Sequence, residues 1–331
     1  MRDVAAAAGV SPKTVSNVLN DYEYVKPETK ARVEAAMAQL GYRMNYAARN
    51  LRRGSTGLIG LAIPELSQPY FAELAEFVLA AAADAGYGVL IEPTRATYRG
   101  ENDVLTGDRR RLTDGLIMSP TSSAATNYHL DPDAGPLVLL AEQVTPSHAD
   151  HVTMPNVDAA YAATRHLLEL GRRRILLLGT HPDEVTGPGP LRTQGFRRAH
   201  AERGVPVDEG LMQPVDIWQL MDGAQAMAAV LDRDAEFDAV FAMNDTLAIG
   251  AIHILAERGL TVPDDVAVVG FDDVAAARVS LPPLTTVAPG RLELAQTAVR
   301  LLVERIRGER TGPGEEFVMP FELIVRGSTR R

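Results

Sequence analysis

The 331-residue chain contains no cysteine, which excludes a disulfide framework and any thiolate metal site. Aromatic residues are scarce, at 5% of the chain, and Trp218 is the only tryptophan. No apolar run approaches the ~18 residues of a membrane-spanning helix. The N-terminus also lacks the charged-then-apolar pattern of an export signal. These absences predict a cytoplasmic protein with no metal site and no other cofactor, and the length predicts about two domains.

Charge is distributed unevenly along the chain. Residues 1–54 contain nine Lys and Arg against five Asp and Glu, whereas the rest contains 24 against 38. A small basic head on an acidic body indicates that only the head meets a polyanion such as DNA. An excess of this size also lies within ordinary variation.

Residues 1–43 predict three short helices. "RDVAAAAG" ends at Gly9, "SPKTVSNVLN" begins with Ser11 as N-cap and Pro12 as its first residue, and "PETKARVEAAMAQLG" runs to Gly41. The first two helices and their tight turn match the spacing of a helix-turn-helix. The apolar positions that can pack together are Val4, Ala8, Val10, Val15 and Leu19.

The second helix of such a motif enters the major groove of DNA with its N-terminal residues facing the bases. Lysine contacts guanine or phosphate, asparagine bonds adenine through two hydrogen bonds, and short hydroxyls suit phosphate. A helical hairpin of another function with a solvated lysine explains the same pattern. The predicted DNA contacts on this helix are Ser11, Pro12, Lys13, Thr14, Ser16 and Asn17.

From Leu58 onward, apolar runs alternate with amphipathic segments. One series contains "LIGLAI", "GVLIE", "DGLIMS" and "LVLLAE", and a second begins after Asn156 with "RRILLLG", "DAVFAMN" and "VAVVGFDD". This alternation predicts two α/β lobes, each a doubly wound parallel sheet, behind an all-α head. A ligand would lie between the lobes, at the carboxyl ends of the strands.

Polar residues follow the strands of the second series. Asn244 and Asp245 come after "AVFAM", and Asp272 comes after "VAVVGF". Carboxylates at such positions suit the hydroxyls of a sugar, although Asp and Asn after a strand also serve as helix N-caps. A lone tryptophan such as Trp218 fits either a core or a stacking platform. The aromatic residues of "LSQPYFAEL" fit either the wall of the cleft or the packing beneath it.

The chain resembles the lactose/galactose-repressor family of bacterial transcription regulators. The resemblance rests on "DVAAAAGVSPKTVSNVLN", "LIGLAIPELSQPYFAEL", "RHLLELGRRRILLLG", "FAMNDTLAIGA", "VPDDVAVVGFDD" and "ELIVRGST", and it covers nearly the whole chain. It implies a repressor that binds a pseudo-palindromic operator. Its body is of the periplasmic-binding-protein type and holds a small polar effector, a sugar rather than a purine.

The resemblance also implies a division into domains. Residues 1–43 read DNA, residues 44–56 form a hinge helix and linker, and residues 57–331 bind effector and dimerise. The first lobe takes about 57–154 and 286–315, and the second about 155–285 and 316–331. In the hinge, Asn45, Ala48 and Leu51 contact DNA, with Leu51 wedged between base pairs in the minor groove. Without the family, this segment fits a flexible basic linker.

The resemblance also implies which residues contact the effector. Arg192 opens a predicted helix, "TQGFRRAHAERG", and a cation there is unfavourable for the helix dipole, which favours a ligand role for Arg192. In relatives an aromatic residue at the position of Trp218 stacks on the ligand ring. The implied effector residues are Tyr70, Phe71, Arg192, Trp218, Asn244, Asp245 and Asp272.

Two further expectations follow from departures within the family. Asn17 stands where many relatives carry Arg or His, which predicts a different base preference. The chain ends at "RGSTRR", without the C-terminal helix that forms tetramers, which favours a homodimer. A solute-binding protein of a transporter would share the body but lack the DNA head. A sugar-modifying enzyme would need a catalytic set that the sequence does not display, so no enzymatic activity is expected.

Overall fold

The computed structural model describes residues 1–19, 22–42, 55–120, 135–141, 149–181 and 187–330. The chain divides into two compact units, Met1–Thr56 and Gly57–Arg331, which are called the head and the body below. The predicted hinge contacts Asn45, Ala48 and Leu51 lie outside the described residues.

The head contains three helices among its described residues: α1 (Arg2–Ala8), α2 (Pro12–Leu19) and α3 (Pro27–Gln39). α1 stops at Gly9, whose φ of 62° is left-handed and whose N–H donates to the carbonyls of Ala5 and Ala6. A glycine adopts this conformation without the steric penalty that a Cβ brings. At the start of α2, the Ser11 hydroxyl accepts a hydrogen bond from the Thr14 amide at 3.1 Å, which confirms the predicted cap.

Small apolar side chains fill the core of the head, which lets its helices approach closely. Val15 is fully buried as predicted, and Val18 joins it one turn later. Val10 and Leu19, also predicted for the core, are only partly buried, and Val18 takes the central position instead of Leu19. The buried residues are Val4, Ala5, Ala8, Val15, Val18, Val33 and Ala36.

The body alternates strands and helices. Its described strands are β1 (Leu58–Ile63), β2 (Gly88–Pro93), β3 (Gly115–Met118), β4 (Leu137–Leu140), β5 (Asp150–Thr153), β6 (Ile175–Thr180), β7 (Met212–Pro214), β8 (Ala239–Ala242), β9 (Ala267–Phe271), β10 (Thr285–Ala288), β11 (Glu316–Val318) and β12 (Glu322–Ile324). Its described α-helices are α4 (Pro69–Asp84), α5 (Tyr98–Thr106), α6 (Asn156–Glu169), α7 (Pro188–Glu202), α8 (Leu220–Asp232), α9 (Asp245–Glu257), α10 (Ala275–Val279) and α11 (Arg291–Ile306).

Within the described residues these strands form two six-stranded sheets. The first has the order β11-β5-β4-β3-β1-β2, with every pair parallel. The second has the order β12-β10-β9-β8-β6-β7 and is parallel except for the β10–β12 pair. In each sheet the strand order reverses beside the first strand, β1 or β6, and this point is where a doubly wound fold binds its ligand.

The inner strands of both sheets are short and apolar, as expected where helices cover both faces of a parallel sheet. β1, β3 and β8 lie almost entirely in the core. Between α8 and α9, Gly250 approaches so closely that a Cβ there would lie 2.2 Å from the Leu220 carbonyl oxygen. This close contact fixes the start of α9 at the edge of the cleft.

Two of the predicted lobe boundaries differ from the sheets. Residues 286–288 belong to β10, which pairs with β9 in the second sheet, although they were predicted for the first lobe. Residues 316–318 form β11, which pairs with β5 in the first sheet, although they were predicted for the second lobe. Strands of three or four residues are too short for their hydrophobic pattern to indicate which of the two sheets they join.

None of the helices in the described residues is both long and apolar enough to cross a membrane.

Candidate effector cleft and DNA-reading helix

A cavity of about 500 Å³ lies between the two sheets of the body. Its wall is built by loops at the carboxyl ends of strands, including the segments after β1, β6, β7 and β9. Six of the seven predicted effector residues line it: Tyr70, Phe71, Arg192, Trp218, Asn244 and Asp272. The sequence-based placement of a cleft at this edge of the sheets therefore agrees with the geometry.

Trp218 and His181 form a stacked pair in the wall contributed by the second sheet. Their ring centroids are 5.1 Å apart, with 29° between the ring planes. The indole N–H donates to the Gly179 carbonyl at 2.9 Å. The imidazole Nε2 lies 2.7 Å from the Val215 carbonyl oxygen. Both rings are thus held by the backbone of the second lobe.

Asp272 brings a carboxylate into the cleft from the end of β9. Only 6% of this residue is exposed, and no described residue donates a hydrogen bond to its side chain. Its φ of 115° is strained for a residue with a Cβ. Burial raises the pKa of the Asp272 carboxyl to about 6, against the opposing charges of Arg192 and Arg291. A buried and strained acid without a donor among the described residues is a candidate ligand-binding position.

The prediction that Arg192 opens a helix is wrong, because α7 begins at Pro188 and Arg192 is its fifth residue. Its guanidinium donates to the Asn156 side-chain oxygen at 2.8 Å and to the Met243 carbonyl. It also lies 3.5 Å from the centroid of the Phe271 ring. These contacts orient the cation at the cleft while its charge acts on Asp272.

Asn244 lines the cleft but is also the N-cap of α9. Its side-chain oxygen accepts from the Leu247 amide at 2.9 Å, and its amide donates to the Trp218 carbonyl at 2.9 Å. The cap that the sequence left open between Asn244 and Asp245 therefore belongs to Asn244. Its contribution to the cleft is to hold the Trp218 loop in place.

Asp245 does not line the cleft, in contrast to its predicted effector role. Its carboxylate is fully buried and accepts from the Thr286 hydroxyl at 2.5 Å and from the Val274 amide at 2.9 Å. Burial, reinforced by the charge of Asp272, raises the pKa of Asp245 well above its usual value. The side chain points under the sheet edge because it is the first residue of α9, one position beyond the cap.

Contacts between the lobes lie on either side of the cavity. Gln219 of the second lobe donates to the Glu65 carboxylate of the first at 2.9 Å. Glu73 on α4 accepts from the Ala275 amide at 2.9 Å and pairs with Arg291 at 2.9 Å. Arg291 in turn donates to the Asp273 carbonyl at 2.6 Å. The strained segment that carries Asp272 is therefore tied to helices of the first lobe.

Sequence reasoning missed several residues of the cleft wall. His181 directly follows β6 and Asp216 follows β7, so the rule that identified Asp272 would have found both. Glu65 and Gln68 lie in the loop after β1 and add polar groups from the first lobe. No cluster of metal-ligating side chains occurs within the ranges that the structure describes.

On the head, α2 presents the predicted contact residues outward. Ser11, Pro12 and Lys13 are exposed, and Thr14, Ser16 and Asn17 are half-buried, while Val15 and Val18 point into the core. This is the orientation that a recognition helix requires.

A three-helix head with an exposed second helix, together with a two-lobed body that has a cleft between its sheets, is the architecture of a DNA-binding regulator with a sensor domain. Residues 1–45 match the family described as bacterial regulatory proteins, lacI family, and residues 164–329 match the periplasmic binding protein-like domain. The regulator DegA of Bacillus subtilis is 33% identical over 99% of this chain and 97% of its own length. The chain belongs to the lacI family of bacterial transcriptional regulators, and the relatives it matches are regulators rather than enzymes.

Solved structures agree with this membership. A regulator assigned to the LacI family from Sanguibacter keddieii is 47% identical, with a TM-score of 0.77 over 82% of this chain and 98% of that one. The lac repressor dimer bound to operator and the anti-inducer ONPF is 28% identical, with a TM-score of 0.82 over 99% and 98%. A complex of the regulator CelR with cellobiose is 31% identical, with a TM-score of 0.73 over 98% of both chains.

Proposed function

We propose that this chain is a cytoplasmic repressor whose affinity for a DNA operator is switched by a small polar effector in the cleft. The observation that carries the proposal is the buried carboxylate of Asp272, which has no hydrogen-bond donor among the described residues and lines the cavity together with Arg192 and Trp218. A carboxylate in that setting gains its missing hydrogen bonds from the hydroxyls of a ligand. A sugar or related metabolite fits these groups better than a purine, and CelR offers a relative with cellobiose bound.

Each predicted domain has its own role in this proposal. Residues 1–43 read the operator through Ser11, Pro12, Lys13, Thr14, Ser16 and Asn17, and residues 44–56 form the hinge, with Asn45, Ala48 and Leu51 on the DNA. Residues 57–331 bind the effector and the second copy. The effector shifts operator affinity only if it binds one arrangement of the body more tightly than the other.

A homodimer matches a two-fold symmetric operator. The lac repressor structure that this chain resembles is a dimer on operator DNA. Two neighbouring apolar side chains of the body, Val279 and Leu281, are 79% and 88% exposed. An interface with a second copy that covers these two side chains would remove their apolar surface from water.

The operator can be identified by selecting tight binders from randomised duplex DNA with the full-length protein. The proposal expects a pseudo-palindrome, with half-sites read independently by two heads, and a 1:1 ratio of protomers to half-sites. Adding small metabolites to the selected complex then reveals the effector through a change in operator affinity. Selection of no preferred sequence, or of a single asymmetric half-site by a monomer, would contradict the proposal.

Asn17→Ala tests the base contact that distinguishes this chain from relatives with Arg or His. If Asn17 reads a base edge, preference at one position of each half-site should relax by about 1–3 kcal/mol, while other positions keep theirs. The measurement is operator affinity across single-base variants of the selected site. Lys13→Ala is the matched comparison, because loss of a phosphate contact lowers affinity uniformly and reduces its salt dependence. A uniform loss with Asn17→Ala would assign Asn17 to the phosphates.

A further inference from the structure

The segment of residues 272–275, which directly follows β9, is held by side chains from both lobes of the body. Asp272 and Asp273 both have a positive φ, of 115° and 52°. Residues with a Cβ keep such a sparsely populated conformation only where surrounding contacts hold it in place. The partners of this segment therefore fix the position of the Asp272 carboxylate in the cleft.

Side chains of the second lobe hold the segment from one side. The Asp245 carboxylate accepts a hydrogen bond from the Val274 amide at 2.9 Å. The Asp273 carboxylate accepts from Arg278 at 2.9 Å and from Arg326 at 2.6 Å. These partners belong to the same lobe as β9, so their hydrogen bonds stay intact when the two lobes move apart.

Two side chains of the first lobe hold the segment from the other side. Glu73 lies on α4 and Arg291 begins α11, and these helices pack on each other and on the first sheet. Glu73 Oε1 accepts from the Ala275 amide at 2.9 Å, and its Oε2 lies 2.9 Å from Arg291 Nη1. Arg291 donates to the Asp273 carbonyl at 2.6 Å. A separation of the lobes at this point must break both contacts with the segment.

The amides of Val274 and Ala275 depend on different lobes, although they are neighbours in the chain. Val274 is buried, and its amide is bonded to Asp245 within the second lobe. Ala275 is exposed, and the described partner of its amide is Glu73 on the first lobe. Hydrogen exchange at Ala275 therefore reports on the contact between the lobes, whereas exchange at Val274 reports on the folding of the second lobe.

We infer that Glu73 is a positioning residue that latches the first lobe to the segment carrying Asp272 and so couples the cleft to operator affinity. The latch is the hydrogen bond between Glu73 and the Ala275 amide. It does not involve the Asp272 carboxylate, which lies three residues earlier and faces the cavity. A ligand that shifts Asp272 therefore shifts the latch through the short strained backbone between them.

This inference rests on the proposed function, because it assumes that an effector engages Asp272 and that operator affinity responds to it. It adds the contact through which the two lobes are joined. Coupling between two sites is reciprocal. Operator binding must therefore change the population of the latched arrangement, whether the effector strengthens or weakens repression.

The first experiment measures amide exchange in the full-length protein without DNA, resolved to single residues by mass spectrometry. Glu73→Ala should speed exchange at Ala275 about tenfold or more and leave Val274 unchanged, because only the partner on the first lobe is lost. Glu76→Ala removes an exposed glutamate of the same helix and should change neither amide. Unchanged exchange at Ala275 overturns the latch. Equally faster exchange at both amides also overturns it, because the second-lobe segment would then be unfolding.

The second experiment adds the DNA duplex that the wild-type protein selects. Bound operator should change exchange at Ala275 by about fivefold or more and leave Val274 unchanged. If operator slows this exchange, Glu73→Ala should weaken operator binding, and if operator speeds it, the same variant should strengthen binding. Glu76→Ala should bind operator as the wild type does.

Two results of the second experiment contradict the inference. The first is an operator that leaves Ala275 exchange unchanged. The second is a Glu73→Ala variant whose operator affinity stays constant or moves in the direction opposite to the exchange result. Selection of a pseudo-palindromic operator does not depend on either measurement, so both results would leave the regulator function standing.

Discussion

Asp272→Asn should abolish the response to effector and, at neutral pH, stabilise the protein. The carboxylate at this position is 6% exposed, and no described residue donates a hydrogen bond to it. A ligand hydroxyl would supply the missing donors, and charge-assisted hydrogen bonds of that kind contribute about 1.5–3 kcal/mol each. Loss of two such bonds predicts binding at least ~100-fold weaker. Operator affinity without effector should not change, because the head does not contain this residue.

The stabilising effect follows from the raised pKa. Burial raises the pKa of Asp272 from 3.8 to about 6, so between those values the folded protein holds a proton that the unfolded chain releases. Stability therefore falls as the pH rises through this window and stays lower above it. Replacing the ionisable group should raise the free energy of unfolding by up to about 3 kcal/mol at pH 7.5 and by almost nothing below pH 4. Asparagine also tolerates the positive φ at this position.

Urea unfolding at several pH values and effector titration by Trp218 fluorescence measure the two effects. Asp234→Asn is the matched control, since Asp234 also has a positive φ, of 53°, but is exposed and does not line the cleft. The control should change neither stability nor effector binding appreciably. A variant of Asp272 that still binds effector with wild-type affinity would remove this carboxylate from the site.

The sequence predicted the fold well because its patterns are local. The cap at Ser11, the turn at Gly9 and the alternation of strands with helices each depend on a few neighbouring residues. The rule that ligands lie at the carboxyl ends of strands then pointed to Asn244 and Asp272, and the family resemblance added Tyr70, Phe71, Arg192 and Trp218. In a doubly wound fold, the topology itself brings these distant segments together.

The sequence could not predict which of two neighbouring side chains makes a given hydrogen bond, or which distant loops come into contact. Asn244 and Asp245 both follow β8, and only the geometry assigns the cap to Asn244 and buries Asp245 against Thr286. The stacking of His181 on Trp218 joins loops after two different strands, which no periodicity encodes. The allocation of β11 to the first sheet likewise depends on a long-range contact, formed at Asp150.

Asp150→Asn should lower the free energy of unfolding of the body more than the loss of any surface ion pair would. Asp150, on β5, is fully buried, and its carboxylate accepts from Arg305 at 2.6 and 2.9 Å and from Arg310 at 3.0 and 3.2 Å. It also accepts from the Glu315 amide at 2.9 Å, immediately before β11. Its removal leaves two largely buried guanidinium groups without their main counter-charge, which costs about 3–5 kcal/mol.

An exposed pair of the same geometry is the control for this prediction. Arg197 and Glu209 form two hydrogen bonds, at 2.5 and 2.7 Å, but their side chains are 46% and 64% exposed. Glu209→Gln should therefore cost far less than Asp150→Asn, because water and salt screen the pair. Free energies of unfolding from urea titrations compare the two variants. Equal costs would mean that Asp150 contributes no more than a surface pair.

The pH dependence of the Asp150 effect should be opposite in sign to that of Asp272. Burial tends to raise the pKa of Asp150, but the hydrogen bonds from Arg305 and Arg310 outweigh it and hold the pKa below its usual value. The folded protein then keeps this group ionised where the unfolded chain takes up a proton. Its stabilisation is complete above the usual pKa of 3.8 and is lost as the pH falls below it. The difference between wild type and Asp150→Asn should shrink in acid, in the range where the Asp272 penalty has already vanished.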